Sequence, residues 1–320
     1  MKTRYDPQLL YNVSRMYFLE GKKQEEIAHE VDVSRSSISL ILSEAKEAGI
    51  VEITVHNPLS NNKDLAERLS TSFSIRECFV IPTALTDSEL LTRLVAERAV
   101  SVFNTGLKDT SCVGIAWGRT CHHFMKAYHS EKHPLDVHIV PLLGGTNRFQ
   151  KRFHLNEMVR DFAEKIPATP HFIHAPVLAE TGDDYDLYMR SSSVKAIVET
   201  WKHIDIAIVS IGSPPHVSHN SRQNVIPGHD FSDLLISENA VGDICGRFFD
   251  STGNFIDDEI ADRSISISPQ SLQKAETVLC IVAGLEKRYS IIGALKTGLI
   301  DILVIDEKTA EAVLALTRKE

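Results

Sequence analysis

At 320 residues, 43% hydrophobic and 24% charged, with a formal net charge of −9, the chain is long enough for one small and one large globular domain with separate cores. No apolar run reaches bilayer length, and the start MKTRYDPQLLYNVSRMYFLE lacks both the apolar segment and the cleavage pattern of a signal peptide, so a cytoplasmic protein with no membrane segment is expected. Five scattered cysteines, Cys78, Cys112, Cys121, Cys245 and Cys280, form no CxxC pair and read as buried thiols in a reducing compartment, while the mild charge excludes an acidic tail or a membrane-seeking surface.

In chain order, Leu9, Leu10, Val13, Met16 and Tyr17 give an amphipathic helix closed by Gly21. Ile27, Ala28 and Val31 then share one face of a short helix starting near Gln24, and the small Ala28 lets a second helix cross closely. Asp32, Val33 and Ser34 make the turn, with Val33 inward and Ser34 suited to N-cap the next helix. Ile38, Ile41, Leu42 and Ala45 continue at helical spacing from about Arg35 to Ala48, and Gly49 stops the helix. Residues 50–55 alternate as a strand.

This is the pattern of a winged helix-turn-helix over roughly residues 5–56. Its phasing leaves Arg35, Ser36, Ser37 and Ser39 on the half of the second helix that such modules present to base edges. Gln24 and Ser34 complete the candidate DNA-contact set, with double-stranded operator DNA as the partner. Arginine can fork onto guanine, and serines can bond bases or phosphates. Seven cations against nine acids in residues 1–56 make one copy a weak electrostatic binder. A homo-oligomer that presents two or more copies to a palindromic site would compensate.

The segment HNPLSNNK at 56–63 reads as a linker, and Leu65, Ala66, Leu69 and Phe73 as a connecting helix. The expected division is therefore 1–56 for the reader, 57–75 for linker and helix, and 76–320 for a large domain. There, short Val- and Ile-rich runs near 79–83, 112–117, 138–144, 204–212, 278–284 and 301–307 alternate with amphipathic stretches. That alternation predicts a largely parallel sheet covered on both faces, a Rossmann-like α/β layer domain.

Several runs end in glycine or small polar residues, which is where open α/β sheets take ligands. The candidates are Gly118, Arg119 and Thr120, then Gly144, Gly145, Thr146 and Asn147, then Gly212, and finally the turn carrying Lys287. Turn amides with a threonine hydroxyl and a lysine suit an anion or a polyol. None matches GxGxxG or GxxxxGK[ST], so no nucleotide cofactor is expected. Asp243, between Gly242 and apolar residues, is placed to accept vicinal hydroxyls, although a turn-capping aspartate reads the same way. His216, His219 and His229, or His122 with His123, lack the spacing of a zinc set, and no metal is expected.

Beyond these readings, the chain resembles the SorC family of bacterial sugar-responsive transcription regulators from about Leu9 to Leu316. The resemblance is carried by Gln24 to Ile53, IAWGRT at 115–120, PLLGG at 141–145, DIAIVSIGSP at 205–214, AVGDICGRFFDSTGNFID at 240–257 and LEKRYSIIGALKTGLIDILVIDEKTAE at 285–311. It implies a winged helix-turn-helix joined to an effector domain similar to glucosamine-6-phosphate deaminases and ribose-5-phosphate isomerases, a sugar or sugar phosphate as effector, assembly as a dimer or tetramer, and control of a carbohydrate-use operon. By the same resemblance, Gly118 to Thr120 and Gly144 to Thr146 cradle the ligand, Asp243 accepts its hydroxyls and Lys287 supplies the cation.

RFHLNEMVRDFA at 152–163 and ICGRFFD at 244–250 resemble the sorbose-type branch, which implies that Asn156 turns its amide to the ligand. The chain departs from the family pattern at Leu40, where an arginine is common, and at Gly284-Leu285, where Gly-Gly is common. The competing function is a phosphosugar isomerase or deaminase, since that architecture also hosts enzymes. The fused reader disfavours it.

Overall fold

The computed structural model describes residues 4–51, 53, 61–84, 87–128, 136–146, 154–212, 232–256 and 259–317. The chain divides into two compact units, residues 1–58 and 59–320.

The first unit contains α1 (Pro7–Phe18), α2 (Gln24–Glu30) and α3 (Arg35–Glu47). Pro7 starts α1 where its missing N–H costs nothing. Asp32 takes a left-handed φ of 54° in the α2–α3 turn, and the Ser34 hydroxyl accepts the Ser37 amide to cap α3. Leu10, Val13, Ile27, Ala28, Ile38, Ile41, Leu42 and Ala45 form the core, with Val33 packed against it. Helix α3 ends at Glu47 with Ala48 as its cap, and Gly49 breaks it with a φ of +72°. Of the strand expected at 50–55, Glu52, Thr54 and Val55 lie outside the described residues, as does most of the 56–63 segment.

The second unit begins with α4 (Lys63–Phe73), β1 (Glu77–Ile81), α5 (Ser88–Gly106), β2 (Cys112–Ile115), α6 (Arg119–Ala127) and β3 (His138–Pro141). It continues through α7 (Leu155–Lys165), β4 (Thr169–Pro170), α8 (Gly182–Arg190), α9 (Ser192–Thr200), β5 (Ile206–Val209) and α10 (Ser232–Ser237). The hairpin β6 (Gly242–Ile244) and β7 (Arg247–Phe249) follows, then α11 (Glu259–Arg263), α12 (Pro269–Leu272), β8 (Thr277–Val282), α13 (Arg288–Lys296), β9 (Ile302–Asp306) and α14 (Glu307–Thr317). Helix α4 belongs to this unit rather than to a connector: Leu65, Ala66 and Leu69 are buried in the large core.

Seven strands form one all-parallel sheet in the order β1-β9-β8-β5-β2-β3-β4. The central strands are fully buried, as strands covered on both faces are, which is why β5 and β9 read as near-continuous apolar runs ending, in β9, at the buried Asp306. From β2 the chain proceeds outward to β3 and β4, then returns to β5 on the other side of β2 and proceeds the opposite way to β8 and β9. The strand order thus reverses between β2 and β5, the place where such sheets form a crevice beyond the carboxyl ends of their strands. In open α/β sheets that crevice is the ligand position.

Candidate effector and DNA-reading sites

Loops from four distant parts of the chain converge beyond β2 and β5. Leaving β2, Gly118 adopts a φ of +117° that side chains rarely tolerate, and it opens α6 with Arg119 exposed and Thr120 buried. Leaving β5, the Gly212 amide donates to the Asp243 carbonyl at 2.9 Å. A methyl group on Gly212 would lie 1.7 Å from Asp243 Oδ1, so only glycine lets that carboxylate occupy its place.

The β6–β7 hairpin presents Asp243. Its two-residue turn, Cys245 and Gly246, has φ of 54° and 74°, the double-positive geometry of a type I′ turn. The turn directs the Gly246 amide back to Asp243 Oδ2 at 3.0 Å. From the loop after β8, Lys287 Nζ donates to the Ile211 carbonyl at 2.8 Å.

The electrostatics join these groups. Burial raises the Asp243 carboxyl above its ordinary range, against the opposing pull of the Gly246 amide and Lys287. Burial likewise lowers the Lys287 amine; Arg119 lowers it further, while Glu286, Cys280 and Asp243 act to raise it. Both side chains keep some accessible surface, yet protein surrounds their charged ends closely enough for desolvation to dominate. A carboxylate with free lone pairs, a cation and an arginine beside one strand-end crevice can bind a polyhydroxylated or anionic small molecule.

Other expected residues have different places. The amides of Gly144 and Gly145 donate to the carbonyls of Ile265 and Ala175, each at 2.8 Å, and Val177 donates back to Gly145. A methyl on Gly144 would meet the Pro176 carbonyl oxygen at 2.3 Å. The glycine pair therefore allows two backbones to close on each other, and its N–H groups do not point to an open anion site. Asn156 is also committed: its Nδ2 donates to the Ile173 carbonyl at 3.0 Å and its Oδ1 accepts the Ile173 amide at 3.2 Å. It staples the strand-end segment after β4 instead of offering its amide to a ligand. Thr146 is half-buried at the edge of the described residues, and Asn147 lies outside them.

Two features near these loops are not assigned to the site by the sequence reading. Cys121, Cys245 and Cys280 all lie beside them, mutually close enough to affect one another, and burial pushes the Cys121 thiol up to about 12 and the other two upward as well. Arg247 donates to the carbonyls of Ala261, Ser264 and Ser266 at 2.8, 3.1 and 3.2 Å, tying the segment around α11 to β7. An arginine flanked by apolar residues was the available signal. Among the described residues no group of three metal-ligating side chains is close enough to hold an ion; His216, His219 and His229 fall outside those residues.

In the first unit, Gln24 is the half-buried first residue of α2. Arg35 and Ser36 are exposed at the start of α3, and Ser39 one turn on. The Ser34 hydroxyl contacts those of Ser36 and Ser37, each at 2.8 Å, and Arg35 pairs with Glu25 at 3.1 Å. Ser34, Arg35, Ser36 and Ser39 are exposed along the N-terminal half of α3, with Ser37 half-buried among them.

The family described as "Putative sugar-binding domain" matches residues 57–315. The chain belongs to the SorC family of sugar-binding transcriptional regulators. It is 28% identical over 316 residues to the sorbitol operon regulator of Klebsiella pneumoniae, covering 98% of this chain and 100% of that protein. It is 28% identical over 311 residues to the deoxyribonucleoside regulator of Bacillus subtilis, covering 97% and 98% respectively. The crystal structure of the full-length Klebsiella regulator matches with a TM-score of 0.78 at 27% identity, over 97% of this chain and 99% of that one. These SorC relatives are regulators, and no helix among the described residues of this member is long and apolar enough to cross a membrane.

Proposed function

We propose that this chain is a DNA-binding regulator of a carbohydrate-use operon whose operator affinity is set by a sugar or sugar phosphate held in the crevice between β2 and β5. The observation that carries the reading is the convergence of Gly118 to Thr120, Gly212, Asp243 and Lys287 at the point where the strand order reverses. Asp243 accepts effector hydroxyls with the lone pairs not used by Gly246, while Lys287 and Arg119 balance its charge and that of any phosphate. Gly144, Gly145 and Asn156 shape the wall of the site.

The protein acts in the cytoplasm as a homo-oligomer, a dimer or tetramer, because one slightly acidic reader supplies little phosphate neutralisation. Gln24, Ser34, Arg35, Ser36, Ser37 and Ser39 contact operator DNA. The effector binds one arrangement of the oligomer better than another and so changes the spacing of paired readers.

The test is a thermal-shift screen of the full-length protein against free and phosphorylated hexoses, pentoses and polyols, since a ligand of the native state alone raises its melting temperature. A selective rise with one sugar class, lost in Asp243→Ala and Lys287→Ala, supports the reading. A full response in both variants places the effector elsewhere.

A further inference from the structure

The exposed face of α3 carries Ser36, Ser39, Leu40 and Ser43, spaced i, i+3, i+4 and i+7 so that they form one stripe. Leu40 is the only apolar member and is 52% exposed. It takes no part in the core, which the opposite face serves through Ile38, Ile41, Leu42 and Ala45. A single exposed leucine on an ordinary helix needs no explanation. This one sits one turn into the helix that enters the groove if this unit reads DNA, and the inference rests on that reading.

The polar groups around Leu40 are partly occupied. Arg35 pairs with Glu25, the Ser36 hydroxyl contacts Ser34, and Lys46, further along α3, lies over the Phe18 ring at 5.6 Å. The largest side chain on the stripe itself is therefore a hydrocarbon. The major-groove edges of the four base pairs offer one methyl group, the 5-methyl of thymine; the remaining positions are hydrogen-bond donors or acceptors that leucine would leave unsatisfied, or the much smaller C5–H of cytosine. A second copy of the chain is a poorer occupant, since one leucine among serines gives too little apolar area for a stable interface.

We propose that Leu40 reads thymine in each half-site of the operator by packing against its 5-methyl group. Ser39 and Ser43, beside it on the stripe, are left to bond neighbouring base edges or phosphates.

The experiment uses the full-length protein and a randomised duplex pool, from which wild-type protein selects a consensus. Each thymine of the selected duplex is then replaced by uracil, which removes the methyl group alone, and binding of wild type and Leu40→Ala is measured on every duplex. One thymine per half-site is expected to lose roughly fourfold in wild-type affinity on replacement, the value of one buried methyl group. Leu40→Ala is expected to bind the thymine duplex more weakly and to be indifferent to uracil there. Equal losses for both proteins at every thymine, or wild-type affinity in Leu40→Ala, would overturn the role of Leu40 while leaving the reader intact. A changed sedimentation coefficient in Leu40→Ala would overturn it in favour of a subunit contact. If wild type enriches no duplex, the DNA reading of the unit fails and the role of Leu40 fails with it. Alanine favours helix, so circular dichroism should confirm an unchanged fold.

Discussion

Lys287 of the loop after β8 donates to the carbonyl of Ile211 after β5 at 2.8 Å, so the backbone of one strand-end loop holds the cation of another. Lys287→Met removes a hydrogen bond but also a cation that burial disfavours. The two effects oppose, and the variant is expected to stay within about 1 kcal/mol of wild-type stability. The effector-induced rise in melting temperature should vanish in the same variant. Paired denaturant and thermal-shift measurements separate the two results.

Asp243→Asn tests the sign of a buried carboxylate. Because burial raises the folded-state pKa above the ordinary 3.8, the folded protein holds this proton more tightly than the unfolded chain. The contribution of Asp243 to stability is therefore complete below pH 3.8 and declines as pH rises through the higher folded value. The asparagine variant has no such decline, and its amide oxygen can still accept the Gly246 N–H. Urea titrations from acid to neutral pH should show that part of the decline missing, with the variant more stable than wild type at neutral pH and its effector response lost.

Gly212→Ala forces a methyl group onto Asp243 Oδ1, where the available distance is 1.7 Å. The carboxylate must move, at a cost of about 1–3 kcal/mol. Calorimetry should show a lower melting temperature, and effector binding should weaken at least tenfold, about 1.4 kcal/mol. Wild-type binding in this variant would remove Asp243 from the site.

Asn156→Ala breaks both bonds to the Ile173 backbone and leaves those groups unpaired. The expected loss is about 2 kcal/mol of stability. Effector affinity should change by less than about threefold, because the amide faces the backbone; isothermal titration distinguishes this from direct ligand contact.

Ser34→Ala removes the acceptor for the Ser37 amide at the start of α3. The first unit should lose about 1 kcal/mol. Operator affinity should fall with it, and Ser34→Asp should restore the cap while reducing DNA binding by charge. Melting of the full-length protein and gel-shift titration together check the pair.

Much of the large domain is legible in the sequence because its strands are buried on both faces. Ile206 to Val209 must be apolar throughout, and the glycines after β2 and β5 mark the turns. The edge strand β4 is not legible: Thr169–Pro170 is two residues long, and proline is tolerated there because the strand is at the edge. The hairpin strands around Asp243 are only three residues each, too short for a period-2 pattern, so the sequence shows the turn and not the strands. The backbone partners of Gly144, Gly145 and Asn156 are not legible for another reason. Their partners, Ile265, Ala175 and Ile173, are fixed by tertiary packing, and a glycine shaped for backbone contact reads the same as one shaped for a ligand. In the reader, the helix period and the Ser34 cap are local and survive intact, down to the last turn of α3.

The reversal of strand order between β2 and β5 also governs when this protein can become a sensor. The crevice needs loops near residues 118, 212, 243 and 287, so it is incomplete until translation has passed β8. The helix-turn-helix unit, by contrast, lies wholly within the first compact unit and is translated before the second. A chain interrupted before β8 would keep the three helices of the first unit and lack the loop that carries Lys287, and with it the proposed effector site. Frameshifts late in the gene should therefore yield effector-blind proteins rather than simple null alleles wherever the shortened product survives proteolysis.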